Sequence, residues 1–314
     1  MTALSTAGRT LRLGTRRSTL AVTQSRWVAE ALGRAGGASV DLVEISTLGD
    51  RSSAAVAELG GTGVFVTGLR EQLLSGAVDF VVHSLKDLPT TPASGLQVAA
   101  IPRREDPRDA LVDRAGRTLG ELPPGARVGT GSPRRQAQLL ALGQGLEVVP
   151  IRGNVDTRLR RVADGEVDAV LLARAGLARL GRIAEITEVL DPLQVLPAPG
   201  QGALAVECRA GDERLADLLG RLDDLDTRAA VTAERSLLGH LEAGCTAPVG
   251  ALADVAEGDG VEPEIYLRAA VLAPDGSRAL RLSATGPASA AMEVGRRLAA
   301  DLLAAGAADL MENW

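Results

Sequence analysis

The sequence predicts an α/β protein: two α/β domains followed by a smaller C-terminal α+β domain. Three observations predict it. Short apolar runs bounded by polar residues, such as residues 80–82, have the length and flanks of buried parallel strands, and they alternate with helix-length segments. A charged, aperiodic stretch at residues 103–109 interrupts this alternation, which then begins again. From Asp212 the order changes to two helices, then strands, a Pro274-Asp275-Gly276-Ser277 turn and a closing helix.

Taken in order, residues 11–14 read as the first strand. Ser18 suits the N-cap of a helix running to about residue 32 and ended by Gly33. Arg16 and Arg17 fall in the strand-to-helix turn, where anions are commonly held, although either taken alone reads as a solvated arginine. Residues 40–45 read as a strand. Residues 47–63 are small and polar and include Gly60-Gly61-Thr62-Gly63; without GK[ST] this is no phosphate-binding P-loop, and a mobile lid is expected, with a plain surface loop as the alternative. A helix at residues 66–74 leads to the strand at 80–82, and Pro89 stops regular structure after it. Residues 96–101 form another strand. Beyond the charged crossover come strands at 127–129, 147–151 and 169–172, each followed by a helix. Residues 192–202 make a second crossing, and residues 204–208 are a strand suited to return to the first sheet. Helices at 215–222 and 227–241, strands at 249–253, 265–272 and 280–283, and a helix at 288–303 complete the chain.

Composition narrows the function. The chain has 314 residues, 46% hydrophobic and 24% charged, as in a globular protein with real cores. Only 2% is aromatic and the net charge is −6, which argues against a base-stacking or polyanion-binding surface. Two cysteines, Cys208 and Cys245, make no disulfide framework, and two histidines with no HExxH or paired CxxC make a metal a poor expectation. No apolar signal core or membrane-length run is present, so the expectation is a cytoplasmic chain with reduced thiols and no membrane partner.

The chemistry gathers at strand ends. Ser84, Lys86 and Asp87 lie just past the strand at 80–82, where ligand crevices of open α/β sheets sit. Lys86 is the only lysine among 34 Lys+Arg; a position that keeps lysine against such a bias points to a need for a compact ammonium rather than a guanidinium, or else to chance at a solvated site. Ser132 and Pro133 suit the cap and first position of a helix whose first turn then carries Arg134 and Arg135. Cations there oppose the helix dipole, so a shared anionic ligand, or else a solvated pair, explains them. Arg152 and Arg158 flank the next helix start, with Asn154 as candidate cap, and Arg174 and Arg179 follow the third strand. Arginines at three strand-to-helix turns point to a multiply anionic ligand. Asp87 is a carboxylate among these cations, suited to stabilising a cationic intermediate or moving a proton, or else to an ordering salt bridge. Cys208 sits in an apolar run as a small hydrophobe. Cys245 sits in a Gly- and Pro-flanked loop, where a reactive or modified thiol and a structural one are both open readings.

Seven segments resemble the porphobilinogen deaminase (hydroxymethylbilane synthase) family, in family order. They are Leu13-Gly14-Thr15-Arg16-Arg17-Ser18, His83-Ser84-Leu85-Lys86-Asp87-Leu88-Pro89, Arg104-Glu105-Asp106-Pro107-Arg108-Asp109-Ala110, Gly129-Thr130-Gly131-Ser132-Pro133-Arg134-Arg135-Gln136, Arg152-Gly153-Asn154-Val155, Pro199-Gly200-Gln201-Gly202-Ala203 and Gly244-Cys245-Thr246-Ala247-Pro248. The resemblance implies two periplasmic-binding-protein-like α/β domains with hinge crossovers plus an α+β domain. The divisions expected are residues 1–103 with 200–220, residues 104–199, and residues 221–314. It implies stepwise head-to-tail condensation of four porphobilinogen molecules, with loss of ammonia, into the linear tetrapyrrole 1-hydroxymethylbilane. A dipyrromethane cofactor, covalently attached through Cys245, primes the chain. By the same match Asp87 is the catalytic carboxylate. Ser84, Lys86, Asp87, Ser132, Arg134, Arg135 and Arg179 contact the cofactor, and Arg16, Ser18, Phe65, Arg152, Arg158 and Gln201 the substrate, whose acetate and propionate groups explain the arginines. The chain departs from the family at Glu58 and Thr62, where many members have lysine, so the lid is expected to supply fewer cations. Ala243 and Thr246 also replace a frequent glycine and glutamine beside the cysteine. The competing readings are a two-domain small-anion binding protein and a phosphate-using transferase, the latter without a nucleotide motif. A monomer acting on a small molecule, with no nucleic acid, is expected.

Overall fold

The structure, a computed structural model, describes residues 10–46, 63–242, 247–258 and 262–311. Strand β1 (Leu11–Arg16) leads into helix α1 (Thr19–Gly36), capped by the Ser18 hydroxyl, which accepts from the Ala21 amide at 3.3 Å. The helix passes the expected stop at Gly33. It ends where Gly37 takes φ 65° and its N–H reaches the Gly33 carbonyl, because a left-handed residue, not a glycine as such, terminates a helix. Next come β2 (Val40–Ile45), α2 (Gly63–Leu74), β3 (Phe80–Ser84), a single 3-10 turn over Leu85–Asp87, and β4 (Leu96–Ala100). Of the expected lid at 47–63, residues 47–62 lie outside the described residues and Gly63 opens α2.

Strand β5 (Asp109–Asp113) was not expected. Its Asp-Ala-Leu-Val-Asp sequence has an acid at each end and only three apolar residues, and Asp109 reads as part of the charged crossover; both acids are buried because arginines neutralise them. Then follow β6 (Arg127–Thr130), α3 (Pro133–Ala141), β7 (Glu147–Pro150), α4 (Val155–Ala163), β8 (Ala169–Ala173), α5 (Arg174–Arg179) and a two-residue β9 (Glu188–Val189). The chain continues through β10 (Leu204–Arg209), α6 (Glu213–Gly220) and α7 (Leu225–His240). It closes with β11 (Val249–Ala256), β12 (Glu264–Leu272), β13 (Ala279–Pro287), α8 (Ala291–Ala304) and α9 (Ala307–Met311). Among the described residues no helix is long and apolar enough to cross a membrane.

Two compact units result: Met1–Arg104 with Ala203–Arg228, and Glu105–Gly202 with Ala229–Trp314. The first holds one sheet, ordered β2-β1-β3-β10-β4, with β1 parallel to both neighbours and β10 antiparallel to both of its own. Phe80, Leu13 and Val206 are fully buried in its core. The second unit repeats the arrangement as β7-β6-β8-β5-β9, with β6 parallel to both neighbours and β5 antiparallel to both of its own. It also holds the antiparallel sheet β11-β12-β13, backed by α7, α8 and α9. Helix α3 packs between the two sheets of this unit: Ala137 clusters with Leu196, Leu252, Ala270 and Leu272. The β12–β13 turn closes on the end of α3, and Gly276 (φ +72°) leaves no room for a side chain, because a Cβ would stand 2.5 Å from the Ala141 nitrogen.

Candidate active site

In each unit the parallel strands end where the candidate residues begin, as the crevice rule for open α/β sheets requires. In the first unit, β3 runs into the 3-10 turn that carries Lys86 and Asp87. The Leu85 amide bonds the Ala203 carbonyl at 3.0 Å and the Leu88 amide bonds the Leu85 carbonyl at 3.1 Å, so both ends of the turn are pinned. Lys86 and Asp87 are half-buried. Among the described residues the Asp87 carboxylate makes no ion pair or hydrogen bond, so the ordering salt bridge considered from sequence is not formed there. Ser84 shares hydrogen bonds with Gln24 of α1, at 3.1 Å to its hydroxyl oxygen and 3.3 Å from it. Arg16 is half-buried at the end of β1; Arg17 is exposed, with only a loose 3.9 Å contact to Glu44. Ser18 is spent in part as the α1 cap. Phe65 lies in α2, with its side chain outside the described set.

Behind this turn lies a buried charge network that the sequence reading missed. Glu207 of β10 takes a bidentate pair of bonds from Arg70 at 3.0 and 2.7 Å and meets His83 Nε2 at 3.3 Å. Burial pushes its pKa up, but the bonds from His83 and Arg70 win and hold the carboxyl below its ordinary value. Partners 124 and 137 residues away leave no local signal.

The second unit gathers the arginines. Arg134 and Arg135 open α3, whose first turn holds no acid, and both are buried. Arg134 Nη2 donates to Asp109 Oδ2 at 2.8 Å and Arg135 Nη2 to Asp109 Oδ1 at 2.7 Å; their Nη1 atoms donate to the Leu196 and Leu171 carbonyls. The Nε atoms of both are buried with no hydrogen-bond partner among the described residues. Ser132 occupies the N-cap position without a side-chain capping bond, which leaves its hydroxyl for other use. Asn154 caps α4, accepting from Thr157 at 2.9 Å, as the sequence suggested. Arg152 is exposed at the turn before it. Arg158 Nε donates to the Gly153 carbonyl at 2.9 Å. Burial, then the like charges of Arg135 and Arg161, hold its pKa down at about 10. Arg179 donates to the Gly202 carbonyl at 2.6 Å, and burial lowers its pKa to about 10. Arg174, by contrast, is neutralised by Glu105 at 2.9 Å and Asp106 at 3.4 Å. Gln201, expected at the substrate, is 1% exposed and gives its amide to Asp109 and the Pro107 carbonyl, each at 2.7 Å.

The unit thus holds arginines that burial and mutual repulsion disfavour, two of them with unmet donors and no acid in their helix turn. An anion rich in carboxylates relieves all of these at once. A family model for porphobilinogen deaminase, dipyromethane cofactor binding domain, matches residues 11–217, and one for the porphobilinogen deaminase C-terminal domain matches residues 228–304. The chain belongs to the porphobilinogen deaminase family. The porphobilinogen deaminase of Mycobacterium tuberculosis (strain H37Rv) is 60% identical over 96% of this chain and 98% of its own. That of Mycobacterium marinum is 58% identical over 96% of each. Among solved structures, a periplasmic substrate-binding protein of an ABC transporter from Coxiella burnetii covers 68% of this chain and 91% of its own, at 14% identity and a TM-score of 0.43.

Porphobilinogen deaminase, or hydroxymethylbilane synthase, is a transferase of tetrapyrrole biosynthesis that carries a dipyrromethane cofactor. Its reaction, the condensation of four porphobilinogen molecules into 1-hydroxymethylbilane with release of ammonia, is the function of this chain, and the small-anion binding reading is not favoured. The residues present fit the cofactor in charge: Arg134 and Arg135 share the single acid Asp109, which leaves a net positive charge suited to its acetates and propionates. Cys245, the expected attachment point, lies outside the described residues.

Proposed function

We propose that the arginines of the second unit hold the carboxylates of the cofactor and substrate and that Asp87 performs the chemistry. The observation that carries this reading is the accumulation of buried guanidiniums in excess of carboxylates: Arg134 and Arg135 share one acid, and burial costs Arg158 and Arg179 part of their basicity. In this reading Arg134, Arg135 and Arg179, with Lys86, Ser84 and Ser132, hold the dipyrromethane. Arg16, Arg152 and Arg158 orient porphobilinogen, with Ser18 and Phe65 at the same substrate; Gln201, expected there as well, is buried and gives its amide to Asp109 and the Pro107 carbonyl, so it serves the arginine pair instead. When bound, the dipyrromethane would supply the pyrrole terminus that the first unit joins and from which the chain is then extended.

Asp87 acts through its carboxylate oxygens. Held on a pinned turn, they accept the pyrrole N–H of porphobilinogen and offset the positive charge that develops as ammonia leaves. The same oxygens then take up the proton released when aromaticity returns. A positioned carboxylate contributes about 10² to 10⁴ in rate by such transfer. The proposal includes a monomer in the cytoplasm that binds no nucleic acid, with the three-domain division at 1–103 with 200–220, 104–199 and 221–314.

Intact mass of the purified protein, with a peptide map around Cys245, tests it. An adduct of two linked pyrroles on Cys245 supports the attachment. An active preparation with an unmodified Cys245 overturns it.

A further inference from the structure

The motif Arg104-Glu105-Asp106-Pro107-Arg108-Asp109-Ala110 has no part in the chemistry above, yet its last acid touches both arginines that open α3. Asp109 is fully buried at the first position of β5. Each of its oxygens takes a different guanidinium, Oδ2 from Arg134 and Oδ1 from Arg135, and Oδ1 also takes the Gln201 amide at 2.7 Å. Burial opposes the charge, but the two arginines and Gln201 win and hold the carboxyl well below its ordinary range.

Two consequences follow. Each guanidinium is held at two points, by Asp109 and by a backbone carbonyl, so its plane is set and its three remaining N–H donors point in fixed directions. The cluster also keeps one uncompensated positive charge, since two cations share one anion. Without Asp109 the guanidiniums would repel each other and turn apart; a second acid would leave nothing to attract a ligand carboxylate.

We propose that Asp109, with Gln201 steadying its carboxylate, is the positioning residue for this arginine pair, setting the direction and net charge with which it takes a pyrrole carboxylate. The role rests on the reading that Arg134 and Arg135 hold the dipyrromethane. Asp109 itself touches no ligand.

The test is a double-mutant cycle on cofactor loading. Full-length chains without the adduct are incubated with porphobilinogen, and the two-pyrrole adduct is followed by intact mass, with melting temperature measured alongside. Asp109→Asn is expected to slow loading by about tenfold or more, the coupling typical of one ion-pair network. Adding it to Arg134→Gln/Arg135→Gln is expected to slow loading no further. Independent, multiplying effects would make Asp109 merely structural and overturn the proposal, as would wild-type loading by Asp109→Asn. If the double arginine variant itself loads normally, the arginine reading fails instead. Where loss of a buried charge unfolds the chain, Gln201→Met crossed with Arg135→Gln carries the same cycle, because Asp109 keeps its bond to Arg134. There a slowing by Gln201→Met that disappears in the Arg135→Gln background supports the role, and one that persists overturns it.

Discussion

Replacing Arg158 by methionine should stabilise the cofactor-free protein while impairing its use of substrate. Its pKa stands at about 10 against an ordinary 12.5, because burial and the charges of Arg135 and Arg161 disfavour its proton. At 1.36 kcal/mol per pH unit, holding the charge costs the folded state about 3 kcal/mol. For a base with a lowered folded-state pKa this penalty is fully present below about pH 10 and fades as pH rises toward 12.5, so it acts in full at neutrality. Methionine removes the charge and keeps most of the aliphatic stem. The loss is one hydrogen bond to the exposed Gly153 carbonyl, which water can replace, at about 1 kcal/mol or less. The net expectation is a gain of about 1–2 kcal/mol. Urea unfolding of the cofactor-free chain at pH 7 and low salt measures it, and porphobilinogen turnover on the loaded chain should show a raised KM. A variant that unfolds at lower urea than wild type would show that Arg158 is a structural residue already compensated in the apoprotein, and the excess-cation reasoning would fall.

Asp87→Asn should fold and carry the cofactor, yet lose about 10² to 10⁴ in kcat; turnover near wild type would remove Asp87 from the mechanism. Lys86→Arg should reduce the fraction of chain bearing the cofactor despite keeping charge, since a planar fork does not replace a compact ammonium; intact mass reads this, and full loading refutes it. Glu207→Gln should flatten the acid limb of stability. The depressed pKa of Glu207 gives a contribution present above its unfolded value, near pH 4, and lost as pH falls through the lower folded value, so the urea midpoints of variant and wild type should converge in acid. A constant gap between the two from pH 7 to pH 3 refutes the assignment.

The alternation of strand and helix was legible because it is written in short-range patterns. Residues 40–45 read as a strand from β-branched and apolar spacing and are one, and Asn154 reads as a cap and is one. Two strands of the second sheet were missed: β9 is only two residues long, and β5 fails for a physical reason, since a strand that begins and ends in aspartate looks solvated unless its arginines are known to be nearby. The extent of α1 was misjudged because Gly33 carries no sign of whether its backbone turns left-handed; Gly37 does so.

By itself the sequence determined the fold class, the placing of arginines at the ends of parallel strands, and the motifs that mark the family. All of these are properties of neighbouring residues. Only the tertiary structure decided which charges are spent and which remain. Arg174 is neutralised by Glu105, 69 residues away, while Arg158 meets other arginines; Arg134 and Arg135 share Asp109 across 25 and 26 residues; Glu207 and Arg70 pair across 137. Such pairings follow from strand order: β10 returns antiparallel into the sheet begun by β1, and β5, first of its sheet in the chain, lies antiparallel between the later strands β8 and β9. Charge acts through space, so the free cations of a site become visible only when the sheets that bring the acids in have closed.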